Sequence, residues 1–130
     1  MGDTPGQHPV TDTLAQTFFA AIERGDIDVA GNCYHDEALI WHSYDGLSQT
    51  RAENARVLKY LSRNVKGLRY VGVERDCFAQ GFVQRHRLQG EVRGMALDAP
   101  VCVVVHVADG QIHRLYEYVA AADIQPLLQP

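Results

Sequence analysis

Apolar positions in the first third of the chain recur with helical spacing. Leu14, Phe18 and Ile22 share one face from Thr11 onward, and Gly25 stands where a left-handed cap ends such a run. Asp26 then caps a shorter helix reaching about Cys33. Ala38, Ile40 and His42 alternate along a strand, so an apolar strand face ends in an imidazole. Thr50-Arg-Ala-Glu53 reads as a capping box, whose two side chains satisfy each other's terminal amides. The helix it opens buries Val57, Leu58, Leu61 and Val65, with Asn54 one turn earlier on that face. Residues 1–10 hold two Gly and two Pro without a period and read as a flexible leader.

The second half alternates strand and turn. Residues 69–79 and 82–92 flank Gln80-Gly81, and residues 101–108 and 111–119 flank Asp109-Gly110. Two-residue turns would set Asp76 opposite Arg85 and Glu74 opposite Arg87, leaving Val71, Val73, Cys77, Gln84, His86 and Leu88 on the other face. In the second hairpin Cys102, Val104, His106, His113, Leu115 and Glu117 share one face. Val101, Val103, Val105, Val107, Ile112, Arg114, Tyr116 and Tyr118 share the other. Simple burial sends the valine and tyrosine face to the core. Helices first and strands afterwards predict an α+β fold.

Composition narrows the function classes. The 130 residues carry 12 Lys and Arg against 16 Asp and Glu, a net charge of −4, with 46% hydrophobic residues. That composition suits one globular domain, residues 11–130, rather than a disordered chain. Scattered basic residues form no stripe, so no nucleic-acid partner is expected. The longest apolar run, from Ala99 to Val105, is far below the ~20 residues of a membrane span, so no membrane partner is expected either. No charged-then-apolar segment opens the chain, and Gly6 stands where a myristoylation motif wants Ser or Thr. Cys33, Cys77 and Cys102 are odd in number and widely spaced, which favours a reducing, cytoplasmic setting. Phosphate-binding glycine loops, a nucleophile elbow and H-E-x-x-H are all absent, so no nucleotide or other cofactor is expected.

Three stretches carry a resemblance. They are Phe18-Phe-Ala-Ala-Ile-Glu-Arg-Gly-Asp-Ile-Asp28, Tyr34-His-Asp-Glu-Ala-Leu-Ile-Trp-His42 and Ala99-Pro-Val-Cys102. With the element order, they make the chain resemble the nuclear-transport-factor-2-like superfamily, in its SnoaL-like and ketosteroid-isomerase-like branch. The resemblance spans roughly Thr11 to Leu128. It implies a cone, in which a curved, mixed, mostly antiparallel sheet wraps around three helices of the N-terminal half and leaves an apolar pocket. It also implies that Cys102, His106, His86 and Glu117 point into that pocket with His42. The valine and tyrosine face, joined by Trp41, would then pack against a second copy as a homodimer. Where steroid isomerases have a carboxylate base, a tyrosine donor and a protonated aspartate, this chain has His42, Phe18 and Cys102. Keto–enol chemistry needs two strong donors on one oxygen, so steroid isomerisation is not expected.

The chemistry-bearing candidates follow from that frame. His42 titrates near neutrality and suits a general acid or base; the alternative is a structural histidine bonded to a loop. Glu117 would orient the imidazole if the last strand lies beside His42, as the family implies; otherwise it is a solvated surface glutamate. Phe18, Tyr44, Asn54, His86, Cys102 and His106 are the expected ligand contacts. Cys102 opposite a carboxylate is a packing residue rather than a nucleophile, because the carboxylate raises its pKa. His42, His86, His106 and Glu117 have metal-ligand chemistry but no local ligand spacing, so polar lining is the stronger account and no metal is expected. Two readings of function stand. One is an acid/base enzyme, an isomerase, cyclase, hydratase or dehydratase, acting on a small apolar organic molecule. The other is a non-catalytic ligand-binding or dimerisation module.

Overall fold

The computed structural model describes residues 8–128. Helix α1 (Pro9–Glu23) begins two residues inside the stretch read as a leader, because Pro9 pre-sets the first helical turn; the earlier part of that leader lies outside the described residues. Gly25, at φ +74°, ends the helix, and Asp26 accepts the Val29 amide to start α2 (Ile27–Asn32). After β1 (Tyr34–His42) comes a short strand, β2 (Leu47–Thr50), that the pattern does not signal. The capping box then forms as read: Thr50 Oγ1 accepts the Glu53 amide at 3.2 Å, and Glu53 accepts the Thr50 amide at 2.9 Å. It opens α3 (Arg51–Asn64).

Four long strands complete the sheet: β3 (Val65–Phe78), β4 (Gly81–Val92), β5 (Met95–Ala108) and β6 (Gln111–Tyr118). The sheet order is β2-β1-β6-β5-β4-β3, open at both edges, with only β1 and β6 parallel. This is the mixed, mostly antiparallel α+β architecture expected from the sequence. A 3-10 turn (Ala121–Ile124) and α4 (Gln125–Leu128), absent from the sequence reading, close the chain over β5. The core fills the space between helices and sheet, with Phe18, Tyr34, Ile40, Phe82 and Val103 among its buried side chains. No helix among the described residues is long and apolar enough to cross a membrane.

Both hairpin registers differ from the expectation. The β3–β4 turn sits at Ala79-Gln80, since Phe78 pairs with Gly81, so Glu74 faces Arg85 and bonds it at 2.7 Å. Gly81 serves packing rather than the turn: a Cβ there would run into the Val105 carbonyl. A shift of two keeps the faces near the turn, but an irregularity between Val71 and Glu74 reverses them further on. Tyr70 consequently faces the core opposite Leu88, while Val73 is exposed. A third tight turn, at Arg93-Gly94, joins β4 to β5, with φ +49° and +80°.

In the β5–β6 hairpin, His106 pairs with Arg114 but Val107 pairs with Ile112, so His113 is an extra residue. That single insertion separates the faces that strict alternation had joined. Val101, Val103, Val105 and Leu115 are buried, and Glu117 pairs with Val103 on their face. Cys102, Val104, His106, Tyr116 and Tyr118 lie on the outer face. The expected inward placement of Cys102 and His106, and the outward placement of the valines, is therefore corrected: the bulge lets three valines and a leucine be buried at once.

Candidate functional site

A cavity of about 440 Å³ lies between α1, α3 and the concave sheet face. Its walls are mainly apolar, with Phe18 and Ile22 from α1, Leu58 and Leu61 from α3, and Val101 and Leu115 from the sheet. Among its few polar groups are His42, Glu117, Asn54, Tyr34, Tyr44 and Tyr70. Arg56 also lines the cavity and is exposed, which puts it at the opening.

His42 and Glu117 face each other directly across the parallel β1–β6 ladder. Ser43 extends that ladder: its amide donates to the Glu117 carbonyl at 2.9 Å, and its hydroxyl bonds both the amide and carbonyl of Val119. The backbone thus locks the two side chains side by side. His42 Nε2 lies 3.8 Å from Glu117 Oε1, too far for a hydrogen bond. The expected hydrogen-bonded orienting carboxylate is therefore absent from this geometry. A polar atom about 2.8 Å from each would bridge the gap.

Burial acts on both groups in opposite directions. It lowers the His42 pKa, with nearby Asp45 pulling weakly the other way, and it raises that of Glu117 to about 7. The 29% of the Glu117 side chain that is accessible opens onto the cavity. His42 Nδ1 is buried without a hydrogen-bond partner. An imidazolium there would carry an unpaired N–H in an apolar wall, a second reason for the ring to stay neutral.

The other sequence candidates divide. Phe18, Tyr44 and Asn54 line the cavity with His42 and Glu117. Asn54 accepts from the Tyr34 hydroxyl at 2.9 Å and donates to Gln49 at 3.1 Å, so it also ties α3 to β1 and β2. His86 is buried behind the wall, against the rings of Phe19 and Tyr70. Its Nδ1 takes the Gln84 amide at 3.0 Å, and burial together with nearby Arg75 depresses its pKa to about 4. Gln84 in turn accepts from Arg75, which pairs with Asp12 at 2.7 Å. His86 therefore belongs to a buried polar chain, not to the cavity lining. Cys102 and His106 lie outside the cavity altogether, with His106 set edge-on to Tyr116. The four groups weighed as a metal set are thus split among cavity, core and outer surface.

Sequence reasoning missed Tyr34 and Tyr70. Burial raises the pKa of both hydroxyls, and Glu117 adds to the effect. The one available signal for Tyr70 was Gly72, at φ +63°, a glycine inside a strand pattern that marks an irregularity.

Comparison with known proteins adds the family. Residues 15–115 match the family model of the SnoaL-like domain. No curated protein sequence matches the chain significantly. Several solved structures share the fold. A candidate polyketide cyclase from Xanthomonas campestris pv. campestris is 17% identical, with a TM-score of 0.80 over 92% of this chain and 98% of that one. An LEH-like epoxide hydrolase from M. tuberculosis is 16% identical, with a TM-score of 0.77 over 94% and 92%. A nuclear-transport-factor-2-like protein from Burkholderia xenovorans LB400 is 15% identical, with a TM-score of 0.79 over 95% and 98%.

Proposed function

The chain belongs to the SnoaL-like domain family, and we propose that it is an acid/base enzyme acting on a small apolar organic molecule held in the cavity, with its own side chains as catalysts. The observation that carries this reading is the pairing of His42 and Glu117, 3.8 Å apart in an otherwise mainly apolar wall. Isomerisation, cyclisation, hydration and dehydration each need one proton taken and one group stabilised, which two such residues can supply. A cyclase and a hydrolase both occur among the names of its structural relatives, in keeping with that class.

The geometry favours Glu117, rather than His42, as the proton carrier. A carboxyl with a pKa of about 7 can both accept and return a proton near neutrality. His42 has no partner at Nδ1 to support a positive charge, unlike a histidine base whose second nitrogen is bonded to an orienting group. Its suited role is a neutral donor, Nε2–H, toward the substrate atom where negative charge develops. Glu117 takes the substrate proton in that step, and returns it where the product requires.

The outer sheet face around Trp41, Tyr116 and Tyr118, rather than the valines, is proposed to meet a second copy of the chain. Trp41 packs against both tyrosines, and Tyr118 remains 48% exposed in the single chain. The three cysteines are all free, which suits the proposed reducing, cytoplasmic setting.

The test is native mass spectrometry of the purified protein for copurifying apolar ligand, followed over time for conversion. Conversion lost in Glu117→Gln supports the enzyme reading. A ligand retained by wild-type protein without chemical change overturns it in favour of a binding module.

A further inference from the structure

We propose that His35, Glu37 and His113 form a binding site for a divalent transition-metal ion of the zinc, cobalt or nickel class, separate from the cavity. One ligand atom from each residue lies within 4.8 Å of the other two. None of the three lines the cavity, so the site is independent of the acid/base reading.

The three residues lie at two irregularities in neighbouring strands. On β1 the pairing with β6 jumps from Tyr34↔Ile112 to Leu39↔Arg114, so residues 35–38 bulge out opposite His113 alone. On β6, His113 is itself the extra residue relative to β5. His35 and Glu37 share a face at i and i+2, and the two imidazoles of His35 and His113 meet edge to face with ring centroids 5.4 Å apart. Glu37, exposed on the same bulge, adds a carboxylate.

Two imidazoles and one carboxylate are a ligand set for late first-row divalent ions, with positions left open for water or a further ligand. Two ligands of a tetrahedral zinc stand about 3.4 Å apart, so binding draws these half-buried and exposed side chains inward. His35 Nδ1 now accepts the Glu37 amide at 3.1 Å, and that contact is given up when the ring ligates through either nitrogen. Arg114 faces the cluster too. Its Nη1 sits 3.5 Å from both ring nitrogens of His113 while donating to the carbonyls of His113 and Glu37. Asp36 is held by Arg51 at 2.7 Å, which leaves Glu37 as the carboxylate of the cluster. Binding therefore has to displace the Arg114 guanidinium and the Glu37 amide contact.

The experiment is titration of the full chain with Co²⁺, read by calorimetry and by visible absorption. The expected result is one ion bound per chain, without a cobalt–thiolate band. His113→Ala should weaken binding at least about tenfold while the metal-free protein keeps its melting temperature. His35→Gln gives the same reading if the first variant does not fold. Absence of binding at millimolar Co²⁺, full affinity in the variants, or a thiolate band would overturn the proposal.

Discussion

His42 and Glu117 are direct partners across the parallel β1–β6 ladder, with Nε2 and Oε1 3.8 Å apart at the cavity wall. Burial keeps the imidazole neutral and lifts the carboxyl to about 7, so the pair differs in which member can move a proton near neutral pH. Once a substrate is in hand, kcat/KM should rise with pH through an apparent pKa near 7 and lose that dependence in Glu117→Gln, whose turnover falls by ~10²-fold or more. His42→Gln should lower the rate and leave the pKa of the profile near 7. A profile that follows His42 instead would reverse the two roles.

The same carboxyl should govern stability in a defined pH window. Its pKa is higher in the folded protein than in the unfolded chain, where about 4.5 applies, so the folded state holds the extra proton. The stabilisation is complete below pH 4.5 and lost as pH rises through 7. Glu117→Gln should therefore gain stability over wild type across that window, by up to about 3 kcal/mol. Urea denaturation at pH 4.5 and pH 8 measures the difference; an equal offset at both would contradict it.

Gln84 holds the middle of the buried chain from Asp12 through Arg75 to His86. Replacing it by Leu leaves both the Arg75 guanidinium and His86 Nδ1 short of a partner, and should cost more than about 2 kcal/mol. His86, with its pKa lowered to about 4, carries the opposite sign to Glu117. Its contribution is present above pH 6.5 and lost as pH falls toward 4. NMR titration of the His86 ring checks that value directly.

Gly81 and Gly94 separate two uses of glycine. A Cβ at position 81 meets the Val105 carbonyl, whereas one at 94 meets open space and only a strained φ of +80°. Gly81→Ala should destabilise by about 3 kcal/mol or more, and Gly94→Ala by about 1 kcal/mol. Comparable melting temperatures for the two variants would refute the distinction.

Placing a charge on the outer face tests the second copy. Trp41→Glu should shift sedimentation from dimer to monomer without disturbing the cavity, because Trp41 packs on Tyr116 and Tyr118 rather than on the core. A wild-type chain that sediments as a monomer would remove this interface from the proposal.

Local chemistry was the legible part of this molecule. The spacing of Leu14, Phe18 and Ile22, the capping box at Thr50 and Glu53, and the Asp109-Gly110 turn each act over a few residues. Their elements could be read without knowing the rest of the chain. Asn54 on the apolar face of α3 was legible for the same reason, and it lies in the cavity wall. Faces beyond a bulge were not. One extra residue at His113 sends Glu117 inward and Cys102 and His106 outward, and nothing in the alternation of Val and His along β5 encodes that insertion.

The sequence by itself determined the α+β class, the caps at Gly25, Asp26 and Thr50 and the presence of two hairpins, because capping, turn chemistry and hydrophobic period are properties of short segments. Through resemblance it also pointed to the last strand lying beside the one that ends at His42. Only the tertiary structure decided that His42 and Glu117 stop short of a hydrogen bond, that Nδ1 is left without a partner, and that His86 is core rather than cavity. Those outcomes depend on strands more than 70 residues apart and on bulges set by competition for burial across the whole sheet. Long-range packing chose among registers that local sequence left nearly equal.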